Sequence, residues 1–370
     1  MRRFIVMVAL AIGVAAAAAA AGVQMDIVAP GPAVLRQVYF TDNMHGVVTG
    51  SKPVQGAAIA WTDDGGDTWH DATTDVDLSN SEPEGLWMNG PTGWSLHVML
   101  QPRGQTLLKT TDGGKTWQRQ SLGELEKSWA LGSLWFDKDN LRGWLNTAGG
   151  PIYKTMDGGT TWTAVDVGKY EGTLTFGDKP MPGNFTHYAR YVFTADHLML
   201  GGMDGVFLET TDGGATWKAR QVPLKLSVGH EGAAELSALS FAADGKSGWA
   251  VGGEGDWITN PNGWAQERDP VVLRTTDGGQ TWARVAIQLL APLSDVWALS
   301  DQEAWICGPA AYALQKGAPS TLRHTTDGGQ TWDNPDPTTD TLRKLFFLDA
   351  THGWAAGGGA GSLIVNITPK

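Results

Sequence analysis

The side chains of this chain that could break or form bonds are few and scattered. Four acidic residues, Glu84, Glu254, Asp256 and Asp295, stand in segments that can come to one face of a fold, and two facing carboxylates are the minimum equipment for glycoside hydrolysis. The segment His230-Glu231-Gly-Ala-Ala-Glu235 has the outline of a zinc helix. It lacks the second His that would place two ligands on one helical face, so it reads as a polar link. The runs 252–255 and 357–361 are rich in glycine, yet each leads into another strand-like run, whereas a phosphate-cradling loop opens a helix. No metal site and no cofactor are expected. Recognition by charge is the other chemistry on offer. Arg36, Arg190, Arg343 and Lys344 each lie three or four residues before the aromatic end of an apolar triplet, on a chain of net charge -12. Arginine can pair bidentately with the carboxylates of a partner.

What positions these residues is an internal repeat. The octapeptide T-x-D-G-G-x-T-W occurs six times, at 62–69, 110–117, 155–162, 210–217, 275–282 and 325–332. Its aspartates are Asp64, Asp112, Asp157, Asp212, Asp277 and Asp327, and the repeat period is that of a propeller, a solenoid or an array. Asp-Gly-Gly brings a side-chain acceptor and two residues that accept positive φ, as a tight turn between antiparallel strands requires. The six aspartates are therefore expected to cap hairpin corners by accepting backbone N–H bonds. Spread around a fold, they cannot converge on one substrate.

Upstream of each corner lies an apolar-aromatic triplet, then a polar turn, then in most copies Gly-Trp. The triplets are Val38-Tyr39-Phe40, Leu86-Trp87-Met88, Leu134-Trp135-Phe136, Tyr191-Val192-Phe193, Leu239-Ser240-Phe241, Val296-Trp297-Ala298 and Leu345-Phe346-Phe347. Seven first halves with six corners predict seven four-stranded antiparallel blades. The last blade is completed by the segment around 25–33, ahead of the first triplet, which joins the ends of the ring.

This register resembles known proteins. The corner is similar to the Asp-box, or bacterial neuraminidase repeat, of sialidases, other glycoside hydrolases and sortilin receptors. The fuller pattern of triplet, polar turn, Gly-Trp and T-T-D-G-G-x-T-W resembles the photosystem II stability and assembly factor family over residues 25–370. That resemblance implies an exported seven-bladed propeller, a structural role for the box aspartates, and partner binding through an arginine-rich surface. A sialidase would need an arginine cluster with a Tyr-Glu pair, and no Arg-Ile-Pro segment stands near the start, where Leu35-Arg36-Gln37 holds the first arginine after the leader.

The expectations are these. The chain is all-β, a seven-bladed propeller over 25–370 preceded by a signal peptide at 1–21, where Arg2 and Arg3, an apolar core and an alanine tail follow the pattern of an export signal. It is exported to a periplasm, or to a thylakoid lumen in a photosynthetic source, and is membrane-anchored if the signal stays uncleaved. The insertions 166–187, 222–235, 254–270 and 309–320 emerge on the face opposite the corners, the first face, where a rigid scaffold displays its functional loops. Function is non-enzymatic: a monomer binding a membrane-protein precursor or envelope complex through Arg36, Arg190, Arg343 and Lys344. The alternative is a secreted glycoside hydrolase. Nucleic acid is excluded as a partner because 27 Lys and Arg against 39 Asp and Glu leave no basic excess. The single cysteine, Cys307, permits no intrachain disulfide.

Overall fold

The computed structural model describes residues 23–28, 34–52, 56–127, 132–147, 151–176, 179–180, 187–224, 234–255, 259–260, 263–264, 269–289, 291–308, 321–335, 341–358 and 363–369. Within them the chain builds seven blade sheets in sequence order, those of a propeller, and two further two-stranded hairpins. The innermost strands are Val34–Phe40, Ser81–Asn89, Gly132–Phe136, His187–Val192, Glu235–Phe241, Asp295–Ala298 and Leu342–Asp349. Successive inner strands contact one another from blade 1 to blade 3 and from blade 4 to blade 7, the seventh returns to the first, and the inner strand of blade 4 meets the second strand of blade 3.

Ring closure uses the chain's two ends. Val23–Val28 pairs antiparallel with Leu363–Pro369 as the outer strand of blade 7, in register from Val23 opposite Pro369 to Val28 opposite Ile364. Blades 1, 3, 4 and 5 have four strands; blade 2 gains a fifth, Thr73–Thr74, parallel to its outer strand. Blade 6 departs from the four-strand expectation. Its described part has three strands, and the return after the corner is a single bridge, Asp333 to His324. Pro335 follows at once, and a proline has no N–H to continue the ladder.

The core is divided between the blades. The tryptophan in the second strand of one blade lies flat on an inner-strand phenylalanine of a neighbour: Trp94 on Phe136, with centroids 3.7 Å apart, and Trp354 on Phe40 at 3.8 Å. Corner tryptophans meet the same rings edge-on, as Trp69 does Phe40 and Trp162 does Phe136. Trp94, Trp117, Trp217, Trp249 and Trp305 are fully buried. At ~25 cal/mol per Å² and ~150–250 Å² each, burial of one such ring stabilises the ring by about 4–6 kcal/mol. Cys307 is buried in the second strand of blade 6.

The six corners share one hydrogen-bond pattern. In the first, Asp64 Oδ1 accepts from Thr62 Oγ1 at 2.7 Å and from the Thr68 N–H at 2.9 Å, and Oδ2 accepts from Thr68 Oγ1. Thr62 Oγ1 in turn accepts from the Gly66 N–H at 3.0 Å. Asp112, Asp157, Asp212, Asp277 and Asp327 repeat the Oδ1 contact to the threonine four residues on at 2.8–2.9 Å. Both corner glycines have positive φ, 79° and 102° at Gly65 and Gly66. A second set of aspartate turns, not singled out by the sequence pattern, caps the inner hairpins on the same face as the corners: Asp42, Asp137, Asp244 and Asp349 each accept two backbone N–H bonds, and the Gly65 N–H of the first corner bonds to the Met44 carbonyl of the first such turn at 2.8 Å.

Candidate partner-binding site

The inner strands surround a central channel whose cavity of about 420 Å³ is lined by every blade. Strand pairing fixes which residues are equivalent around it. Phe40, Met88, Phe136, Val192, Phe241, Ala298 and Phe347 pair with Gly46, Gly93, Gly143, Leu198, Gly248, Ala304 and Gly353, which in the first six blades pair in turn with the first threonine of the corner, so each holds the same place in its inner strand. The triplet of blade 4 is thus Arg190-Tyr191-Val192, one residue earlier than the apolar-aromatic pattern suggested. Phe193 drew the sequence reading forward; in the fold it begins the turn, its N–H bonded to the His197 carbonyl at 2.9 Å.

One residue inward from that place stand Tyr39, Trp87, Trp135, Tyr191, Ser240, Trp297 and Phe346, facing the channel. Five of them form a continuous arc through neighbouring blades. Trp297 meets Phe346 at 5.3 Å between centroids, Phe346 meets Tyr39 at 4.6 Å, Tyr39 meets Trp87 at 5.4 Å and Trp87 meets Trp135 at 5.9 Å. On the other side Tyr191 donates its hydroxyl to the Phe241 carbonyl, and Ser240 Oγ accepts the Ala298 N–H. Burial raises the Tyr39 hydroxyl pKa well above the phenolic range, so it stays neutral. Tyr39, Trp297 and Phe346 also line a depression of about 300 Å³ at the second face, so the arc forms the floor between the two mouths.

The four cations singled out from sequence do not occupy one kind of position. In blades 1, 2, 4, 5 and 7 the inner strand carries a β-bulge near its first-face end, and the extra residues are Arg36, Glu84, Tyr188, Ser237 and Arg343. Bulges re-aim side chains and sit at rims. Arg36 is held by Glu82 of the next blade, and Arg343 is exposed. Lys344, one residue further in, lines the channel and pairs with Asp295 of blade 6 at 3.1 Å. Arg190 stands where the other blades have Val38, Leu86, Leu134, Leu239, Val296 and Leu345, and its Nη2 donates to the Leu134 carbonyl of blade 3. Burial pulls its pKa down to about 9, still charged at neutral pH.

The acidic candidates are spread in the same way. Glu254 ends a buried strand of blade 5 and is clamped bidentately by Arg284, Nη1 to Oε1 at 2.7 Å and Nη2 to Oε2 at 2.8 Å. Asp295 is spent on Lys344 and on the Leu345 N–H at 2.8 Å. Glu84, at the rim, is pushed up to about 7 by burial, against the pull of Arg36. Asp256, His230 and Glu231 lie outside the described residues, as do the expected leader at 1–21 and the insertion 309–320; Glu235 opens the inner strand of blade 5. Among the described residues no group of three His, Cys, Asp or Glu side chains is placed to hold a metal.

The insertion 166–187 is only in part a displayed loop. Leu174 is buried in the cluster that holds Trp144 and Trp217, and Glu171 bridges Lys218 in parallel, so its first half edges blade 4. Of the insertions 222–235 and 254–270, the described residues include the outset of the first and a two-residue hairpin, Thr259–Asn260 with Gly263–Trp264, in the second.

Comparison with protein families matches residues 18–190 and 184–294 to the model of the photosynthesis system II assembly factor YCF48. The chain belongs to this family. Solved structures similar to it include YCF48 bound to D1 peptide, at 20% identity and a TM-score of 0.62 over 93% of this chain and 95% of that one. YCF48 from Cyanidioschyzon merolae shares 20% identity with a TM-score of 0.62, covering 94% of this chain and 99% of that one. Comparison with curated protein sequences returns no significant match. Family membership makes the chain an assembly-factor propeller and disfavours the glycoside hydrolase alternative.

Proposed function

We propose that this chain is a non-enzymatic scaffold that holds a segment of a membrane-protein precursor against the first-face mouth of its channel while that protein is assembled or stabilised. The family match across 18–294 carries the reading. A YCF48 structure bound to D1 peptide supports a polypeptide as the ligand class. In a photosynthetic source the partner is a photosystem II subunit; in any other source it is a membrane protein of the envelope. The leader at 1–21 accords with export, so docking takes place on the periplasmic or lumenal side. Arg343, exposed at the rim, meets acidic groups of the partner, beside Arg36 and Lys344, which are tied to Glu82 and Asp295 of neighbouring blades. Consistent with docking alone, Glu254 and Asp295 are each tied to a cation of the protein itself.

Affinity capture from solubilised membranes of the source organism, with identification of retained proteins, tests the reading. The wild type should retain a membrane-protein subunit or precursor that an Arg343→Ala, Lys344→Ala variant releases. Equal retention by both would remove the rim from the site, and a wild type that retains no membrane protein would defeat the scaffold reading.

A further inference from the structure

The second face is not the same all round the ring. In the first six blades a corner glycine donates its N–H to the carbonyl of one residue in the inner-hairpin turn, which makes those residues equivalent: Met44, Pro91 and Leu141 in blades 1–3, Asp196, Lys246 and Gln302 in blades 4–6. The turn tips are apolar on one side of the ring and polar on the other, and the three apolar ones are exposed. Met156, in the corner of blade 3, is 66% exposed. Leu348, at the second-face end of blade 7, is exposed too and lines the apolar depression there with Met88 and Phe346. Of the six large hydrophobic side chains exposed among the described residues, four thus belong to one arc of the second face, from blade 7 through blade 1 to blade 3. Hydrophobic side chains exposed one by one are ordinary, whereas several gathered on one side of a surface mark contact with protein or membrane.

The path of the N-terminus favours the membrane. Ile367 lies opposite Gly353 in blade 7 as Thr62 lies opposite Gly46 in blade 1, and Met25 is its outer neighbour. Where the other blades turn through the octapeptide, blade 7 has two strand ends, Val23 and Pro369, at the second face. Whatever precedes Val23 enters the propeller there, in a blade of the apolar arc. The segment expected at 1–21 is an apolar export leader, and such a leader lies in the bilayer while its protein is exported.

We propose that Leu348, Met44, Pro91, Leu141 and Met156 rest on a lipid bilayer surface, with the first face turned to the aqueous side. Side chains of this kind gain burial at the boundary between headgroups and acyl chains. The seven-residue inner strand of blade 1, at about 3.3 Å per residue, then sets the channel mouth roughly 23 Å above that surface. A partner's segment has to stand that far out of the membrane, so the mouth takes an extramembrane tail or long loop. This last step rests on the docking reading; the lipid contact does not.

A nitrobenzoxadiazole label on the full chain, mixed with phosphatidylcholine vesicles, tests the proposal. It is carried on Met44→Cys, Leu141→Cys or, at the first face, Leu100→Cys; Cys307 is buried and stays unlabelled. At positions 44 and 141 the label should brighten at least about twofold and be quenched by nitroxide-bearing acyl chains, and at position 100 it should do neither. Adding Leu141→Glu with Met156→Glu should remove most of the quenching at position 44 at an unchanged melting temperature. The leader is intact in that variant, so seating of the arc is separated from tethering by the leader. No partner protein is present, so the outcome is independent of docking at the first face. No quenching at positions 44 and 141, equal quenching at position 100, or quenching that survives the two glutamates would overturn the proposal. Brightening without vesicles would overturn it in favour of a second copy of the chain.

Discussion

Asp295 and Lys344 occupy the same position in adjacent blades and neutralise each other across the channel wall, Oδ1 to Nζ at 3.1 Å. From sequence, one was a candidate for hydrolysis and the other for partner binding. Asp295 Oδ2 also accepts the Leu345 N–H, so this buried carboxylate ties blade 6 to blade 7. Asp295→Ala leaves that N–H and a cation without their acceptor and should cost about 2–4 kcal/mol in urea denaturation. Lys344→Met should cost less, since Lys344 is partly solvated and the N–H bond survives.

The corner carboxylates make stability depend on acid. Asp212 is held down to about 2 by the Thr216 hydroxyl, the Thr216 N–H and the Thr210 hydroxyl; Thr331 and Thr325 do the same for Asp327. A carboxylate whose pKa is lower in the folded state contributes stability above its unfolded value near 4, and loses it as pH falls through 2. The thermal midpoint should therefore drop between pH 4 and pH 2, and Thr216→Val should flatten part of that dependence by removing one donor to Asp212.

Glu84 acts in the opposite sense. Its folded pKa of about 7 lies above the unfolded carboxyl value, so folding favours the protonated form. Stability from this group is present below about 4.5 and is lost as pH rises toward 7. Glu84→Gln should leave stability at pH 4 nearly unchanged and raise it at pH 8 by about 1–3 kcal/mol, read from denaturation curves at the two values.

The two glycines of one corner should respond differently to substitution. Both have positive φ, 77° at Gly113 and 91° at Gly114, but a Cβ on Gly113 meets nothing within 4 Å, whereas on Gly114 it comes within 2.5 Å of Val47 Cγ2 in the preceding blade. Gly113→Asn, a residue that tolerates positive φ, should cost under about 1 kcal/mol. Gly114→Asn adds a clash in a packed interface and should cost about 2–4 kcal/mol. Melting curves of the pair decide it.

Deleting the closing strand should open the ring. The strand Val23–Val28 contributes six register pairs to blade 7, and without it Leu363–Pro369 becomes an unprotected edge. A chain starting at residue 33 should melt at lower temperature and associate through that edge, which sedimentation can follow. An unchanged midpoint and a monomer would show that closure contributes nothing.

The period, the corners and the apolar triplets determined the fold class from sequence alone, because a propeller blade is specified by local turn chemistry and by strands that pack on copies of themselves. Asp64 and its five equivalents needed no tertiary information: each finds its donors within four residues. The site was another matter. That Arg190 replaces an apolar residue depended on a register set one residue earlier than Phe193 implied, and register is fixed by the partner strand. The bulges that carry Arg36 and Arg343 to the rim are likewise visible only in strand pairing. Whether a charge is free or spent depends on the neighbouring blade, since Arg36 finds Glu82 46 residues away and Lys344 finds Asp295 49 residues away. Ring closure makes such distant residues adjacent, so sequence separation carries no signal of which charges cancel. The sequence on its own determined seven blades with their corners; the tertiary structure decided which charges are cancelled by the neighbouring blade.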